Sequence, residues 1–231
     1  MKKTGAEARE TGQAQGPKPN LNELRSQETR QRILAAAHAQ FVANGLEGTR
    51  MEAIALSAGV NKSLVYRHFG NRETLYCTVL DRAYAQIRAG ESALELPDDP
   101  HEALARVVDY TFDYYIANPD FLVLVGIENL NKGEFLRRVD KAGLNVDNLK
   151  GIYRKVLDMG MEQGVFRRGV DPVDLYFVAS SLCWYTVATQ YTFGITFETD
   201  VLSKENLASR RRIIHTAVRG FLTEPQPEAP G

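Results

Sequence analysis

Cysteine is nearly absent: the 231-residue chain has only Cys77 and Cys183, far apart. That excludes a disulfide framework and a CxxC metal or redox pair, and it suits a reducing cytoplasm. An excess of one charge is missing too, because 28 Lys+Arg against 29 Asp+Glu leave a net charge of −1. Taken alone, that balance argues against a nucleic-acid partner. Met1 to Asn20 lacks the apolar run that a secretory signal needs. The phosphate loop GxxxxGK[ST], HExxH, GxSxG and GxGxxG are all absent. His38, His68, His101 and His215 form no pair at metal-ligand spacing on a helix. Asp109 and Asp113 sit four apart, opposite an apolar stripe, and read as a solvated face rather than an acid–base pair. The expectation is a protein that is not an enzyme and uses neither a metal nor another cofactor. Sustained period-two alternation is missing as well, and with it the signal for strands.

What is present is ordinary soluble composition, 44% apolar and 25% charged, at a length ample for a sizeable core. Charge is unevenly placed: residues 1–72 carry +5 and the remainder −6, so the two parts suit different partners. Residues 1–26 and 223–231, rich in polar residues, Gly and Pro, read as flexible tails. Between them helical periodicity marks nine helices, an all-α chain. The first runs over about 28–43, stopped by Asn44-Gly45. Thr49-Arg50-Met51-Glu52 has the capping-box pattern that opens the second. Gly59 ends it, and Asn61 caps a very short third to about His68. Asn71 caps a long fourth, with Leu75, Tyr76, Val79, Leu80, Tyr84 and Ile87 on one stripe. After Pro97-Asp98-Asp99-Pro100 comes a fifth. Asn118-Pro119 is a cap followed by proline at the first helical position and opens a sixth. A seventh stops near Gly164, Asp171-Pro172 opens an eighth, and Ser203 a ninth.

Leu175 to Phe197 is 23 residues without a charge, long enough to span a bilayer. Its seven Ser, Thr and Gln residues, with acidic flanks at Asp171, Asp174, Glu198 and Asp200, argue against a membrane span. A helix apolar nearly all round is covered on more than one side, and a second copy of the chain is the simplest cover. With the ninth-helix stripe at Leu207, Ile214, Val218 and Phe221, it predicts a homodimer joined by a four-helix bundle.

The front segment carries the positive signal. Two short helices joined at Gly59 form a helix-turn-helix over about 50–69. With Phe41, Ile54, Ala55, Val60, Val65 and Phe69 inward, Lys62, Ser63, Tyr66, Arg67 and His68 point outward. Such groups neutralise phosphates and bond to phosphate oxygens or base edges. Tyr66 also fits core packing beside Phe69. The starts of the second and fourth helices, near Thr49 and Arg72, add phosphate-binding positions.

From Thr49-Arg50-Met51-Glu52-Ala53-Ile54-Ala55 through Ser57-Ala58-Gly59-Val60-Asn61-Lys62-Ser63-Leu64-Val65-Tyr66-Arg67-His68-Phe69-Gly70-Asn71-Arg72-Glu73-Thr74-Leu75, the chain resembles the DNA-binding domain of the TetR/AcrR family of bacterial transcriptional regulators. Arg32-Ile33-Leu34-Ala35-Ala36-Ala37 with Phe41 and Gly45 matches that family's first helix. The resemblance implies a DNA-binding domain over 27–87 and a helical ligand-binding and dimerisation domain over 88–222. It further implies a cytoplasmic homodimer that holds a palindromic double-stranded operator and lets go when a small-molecule effector enters the second domain. Carried over by position, the DNA contacts fall on Thr49, Arg50, Lys62, Ser63, Tyr66, His68 and Arg72. Glu52 stands where the family often has a basic residue.

Candidate effector-lining residues are Phe112, Tyr115, Phe121, Tyr153, Trp184 and Tyr185, each equally compatible with core filling. Glu128 and Asn129 face either a pocket or solvent. The leading reading is a ligand-responsive repressor. An activator or a DNA-bound protein-interaction factor, and a helical enzyme or carrier with a scaffold-only front domain, are the alternatives.

Overall fold

The computed structural model of the chain describes residues 20–140 and 144–223; of the tails expected at 1–26 and 223–231, residues 1–19 and 224–231 lie outside them, while 21–26 and Thr223 are helical rather than tail. Among the described residues there are ten α-helices, one 3-10 turn and no strand. They are α1 (Leu21–Gly48), α2 (Met51–Ala58), α3 (Lys62–Phe69), α4 (Arg72–Ser92), α5 (Pro100–Ala117), α6 (Pro119–Leu130), α7 (Val146–Glu162), α8 (Pro172–Ala188), α9 (Gln190–Thr196) and α10 (Lys204–Thr223). The 3-10 turn, Leu136–Arg138, lies between α6 and α7.

Three local expectations need correction. Helix α1 starts seven residues earlier than the apolar periodicity indicates. Asn20 accepts from Asn22 N–H and Glu23 reaches back to Asn20 N–H, a reciprocal cap that supports an exposed first turn. The capping box expected at Thr49 does not form, because Arg50 is the N-cap and offers no side-chain acceptor. The Thr49 hydroxyl instead donates to the Gly45 and Gln40 carbonyls at 2.7 and 3.0 Å. Gly45 (φ 66°) interrupts α1, freeing those carbonyls for Thr49. Finally, the uncharged 175–197 stretch is not one helix. It breaks at Thr189, whose hydroxyl donates to Tyr185 O at 2.6 Å, and restarts as α9. That break turns nine expected helices into ten, and no described helix is long and apolar enough to cross a membrane.

Two hydrophobic cores stack end to end. The first gathers Ile33, Leu34 and Phe41 of α1, Ile54 of α2, Val65 and Phe69 of α3, and Leu75, Tyr76 and Leu80 of α4. The second gathers Val107, Phe112 and Tyr115 of α5, Tyr153 and Leu157 of α7, Leu175 and Cys183 of α8, and Ile214 and Val218 of α10. Helix α4 runs through both, with Val79 and Leu80 in the first and Ile87 in the second. Its far end is fixed to the second core. Tyr110 OH donates to Ile87 O at 2.9 Å, and buried Arg88 bonds Glu91 at 2.5 Å and Leu144 O at 3.1 Å. The first core is not built from α1–α4 alone: Leu124 of α6, Phe135 and Val139 also belong to it. Asp113 is exposed and Asp109 half-buried, as a solvated face requires, and the two are tied to a neighbouring helix. Both bind Arg211 of α10, and His215 lies 2.8 Å from Asp109. This carboxylate pair clamps α10 onto α5.

Candidate nucleic-acid interface

The helix-turn-helix rests on three capping devices. Gly59 closes α2 in the left-handed conformation (φ 62°), which a side chain adopts only with strain. Asn61 Oδ1 accepts from Leu64 N–H at 2.8 Å to open α3, and Asn71 does the same for Thr74 at the head of α4. Arg32, reaching from α1, holds the turn itself by donating to Ala58 O at 2.5 Å and Gly59 O at 3.0 Å. Arg32 was not anticipated among the functional positions. Its only sequence signal is a basic residue beside the apolar stripe of α1.

On this frame α3 buries Val65 and Phe69 and turns its other face to solvent. Ser63, Tyr66 and Arg67 are exposed there, and Arg50 is exposed at the start of α2. Tyr66 is 42% exposed, so it does not pack into the core beside Phe69. The Ser63 hydroxyl donates to Asn61 Oδ1 at 2.7 Å. Lys62 stands over the Tyr66 ring (5.5 Å to its centroid) and forms an ion pair with Glu52. That pairing raises Lys62 above its ordinary pKa and lowers Glu52 below its own, so the cation is held but partly answered within the protein. His68 is half-buried; burial first, then Arg67 and Arg30, push its pKa down. It is a neutral hydrogen-bonding ring rather than a cation at neutral pH.

Two expected contacts move inward. Thr49 is 1% exposed and its hydroxyl is committed to backbone carbonyls, so it braces the loop before α2. Half-buried Arg72 bonds both carboxylate oxygens of Glu47 at 3.2 Å and the Thr49 carbonyl at 3.3 Å, tying α4 to the end of α1. The surface brought together is therefore Arg50, Lys62, Ser63, Tyr66 and Arg67, with His68 at its edge.

Of the expected effector residues, Phe112, Tyr115, Phe121 and Tyr153 share the second core, and Trp184 and Tyr185 stand apart from it. Phe112, Tyr115 and Tyr153 are at most 4% exposed inside the second core. Phe121 is buried edge-to-face against Tyr84 at 5.3 Å. Trp184 and Tyr185 stand exposed on the outer face of α8. Glu128 is buried, and its Oε2 accepts from Leu136 N–H at 2.8 Å. Asn129 is exposed and bonds its own helix at Val125 O.

The expected dimer face also needs correction. Ile214 and Val218 are 2% and 0% exposed because they face α5 and α8 of their own protomer, so they are core. Leu207 and Phe221 are half-buried against the same core. The solvent-facing apolar side chains lie about one residue round the helix. Ile213 of α10 is 50% exposed, and with it stand Phe177, Trp184 and Tyr185 of α8 and Tyr191 and Ile195 of α9.

Comparison with known proteins places this geometry. Residues 33–77 match the family described as bacterial regulatory proteins, tetR family, and residues 100–218 match the tetracyclin repressor-like C-terminal domain. The HTH-type transcriptional repressor NicS of Pseudomonas putida is 29% identical over 206 residues, covering 88% of this chain and 97% of its own. The HTH-type transcriptional repressor SCO4008 of Streptomyces coelicolor is 29% identical over 165 residues, 70% of this chain and 80% of its own. Among solved structures, Streptomyces coelicolor SCO4942 superposes with a TM-score of 0.64 at 25% identity, covering 85% of this chain and 99% of that one.

Proposed function

Because the chain belongs to the TetR family of bacterial regulatory proteins, we propose that this DNA-binding transcriptional regulator is a homodimeric repressor whose operator is palindromic and whose release is triggered by a small molecule. Residues 27–87 form the DNA-binding head and 88–222 the effector-binding and dimerising body, acting on the nucleoid in the cytoplasm. The observation that carries this reading is the outward face of α3. Ser63, Tyr66, Arg67 and Lys62 are presented by a two-turn helix whose caps and Arg32 brace fix its direction. A short rigid helix of this kind enters a major groove, and a two-fold pair reads half-sites about 34–36 Å apart or a multiple of that. Both NicS and SCO4008 carry the name of repressor, which supports that sign of regulation over activation.

Footprinting of the purified chain on genomic DNA tests this directly. A protected inverted repeat upstream of a gene whose transcription rises when the protein is deleted is the expected result. Protection without symmetry, or transcription that falls on deletion, would count against repression by a dimer.

A further inference from the structure

We infer that the cleft between the head and the body is the effector site, and that it takes a molecule with an apolar, ring-sized part and one carboxylate. This rests on the regulator reading above, moves the effector from the body alone to the seam it shares with the head, and adds what the ligand is.

A cavity of about 500 Å3 opens at the seam where the two cores meet. That volume falls within the range of small-molecule sites. The space exists because three different helices present a methyl group to it: Ala35 from α1, Ala83 from α4 and Ala117 from α5. Ala83 packs against both cores, so anything filling the cavity presses on head and body together. Phe121 and Tyr114 form an aromatic wall, their rings edge-to-face at 5.9 Å, and Leu34 and Val79 line the head side. Burial raises the Tyr114 hydroxyl above its ordinary pKa, so it stays protonated and able to donate.

The charges choose the guest. Arg82 and Asp120 line the cavity with opposite signs, and only one is answered in place. Asp120 occupies the first turn of α6, where a carboxylate complements the free N–H groups, and His38 Nδ1 lies 3.7 Å from it. Arg82 bonds the neutral Gln31 Oε1 at 2.5 Å and has no ion-pair partner among the described residues. Its remaining donors form the planar fork that matches a carboxylate. An apolar ring against Phe121 with its acid group toward Arg82 satisfies both halves of the cleft. By contrast, the second core is filled by its own Phe112, Tyr115 and Tyr153. A guest at the seam needs only a different separation of α1 from α5–α6 in its favoured state to shift the head population.

The test uses the full chain and three matched probes: 3-phenylpropionate, 3-phenylpropan-1-ol and 3-phenylpropylamine, measured by calorimetry without DNA. The acid is expected to bind about tenfold or more tightly than the alcohol or the amine, a preference abolished in Arg82→Gln. Ala83→Phe, which fills the seam, is expected to stop binding of all three. Duplex DNA binding by the same variants without probe reports independently on the regulator reading. Equal affinity for the amine or the alcohol, no acid binding at millimolar concentration, or acid binding unchanged in folded Ala83→Phe would overturn the assignment.

Discussion

Lys62 on α3 and Glu52 on α2 close an ion pair across the helix-turn-helix, on the face proposed to meet DNA. Both groups are exposed, and the pair has two consequences. It links the two helices at their open edge, and in the proposed complex it places a carboxylate where phosphates would approach. A phosphate that takes Lys62 must displace Glu52, so the unbound protein already holds a competitor for its own cation.

Replacing Glu52 by Gln removes that competitor without changing shape. DNA binding is expected to strengthen, and the slope of log K against log salt to steepen by roughly 0.9 for each phosphate that Lys62 newly neutralises. Titrations of wild type and Glu52→Gln against one duplex at several salt concentrations measure it. A slope that stays the same or flattens would show that Lys62 meets no phosphate.

The Gly59 corner offers a stability test. At φ 62° a side chain is strained, and an added Cβ would also meet Arg32 Nη2 at 3.0 Å. Gly59→Ala is expected to cost about 1–2 kcal/mol, seen as a lower Tm and weaker DNA binding. Arg32→Ala, which frees the turn carbonyls without straining the backbone, is expected to weaken DNA binding with a smaller change in Tm.

His68 titrates with a sign that can be worked out. Its folded pKa lies below the ordinary 6.5, because burial and the cations Arg67 and Arg30 disfavour the proton. The unfolded chain therefore binds more protons as pH falls through 6.5, and stability present above that pH is lost below it. Urea midpoints between pH 7.5 and 5 should fall less steeply in His68→Gln than in wild type. Identical slopes would remove His68 from the acid sensitivity.

For assembly, the exposed Ile213 and the buried Ile214 separate interface from core. Ile213→Asp is expected to give a folded monomer by sedimentation with a native helical signal. Ile214→Asp places an unpaired charge in the second core, costs several kcal/mol, and is expected to unfold the protomer. A dimeric Ile213→Asp would move the interface off α10.

What the sequence made legible follows from the reach of each signal. The short helices around Gly59, the caps at Asn61 and Asn71 and the outward face of α3 are encoded within a few residues, so periodicity and capping chemistry reveal them. Thr49 and Ile214 were misplaced because both decisions are tertiary. Thr49 turns to carbonyls freed by the kink at Gly45, and Ile214 differs from Ile213 only by the 100° that separates neighbours on a helix. The ten-helix count depended on Thr189, one polar residue in an apolar stretch whose hydroxyl bonds its own helix. Arg72 reads as a phosphate ligand until Glu47, 25 residues away, is seen to hold it. The seam between the two cores has no sequence signature, since three alanines in ordinary helices mark it only once those helices meet.

Glu128 shows how the body reaches into the head. It lies on α6, yet its carboxylate is buried beside the Tyr76 hydroxyl of α4 and accepts the Leu136 amide at 2.8 Å. That bond holds the 3-10 turn, and through it Phe135, which packs edge-to-face on Tyr76 at 5.4 Å inside the first core. The head is thus completed by a plug from the body, and the carboxylate is the plug's polar fastening. Glu128→Ala removes the acceptor and leaves the part-buried Leu136 N–H without its partner, a loss of about 1.5–3 kcal/mol for a bond to a charged group. Glu128→Gln keeps an acceptor and should recover part of it. Hydrogen exchange resolves the effect by position: the Leu136 amide is expected to lose protection in Glu128→Ala, and amides of α4 near Tyr76 with it, while α8 keeps its own. Protection lost evenly over the whole chain would mean that Glu128 contributes only to global stability. Unchanged protection at Leu136 would remove it as the fastening between body and head.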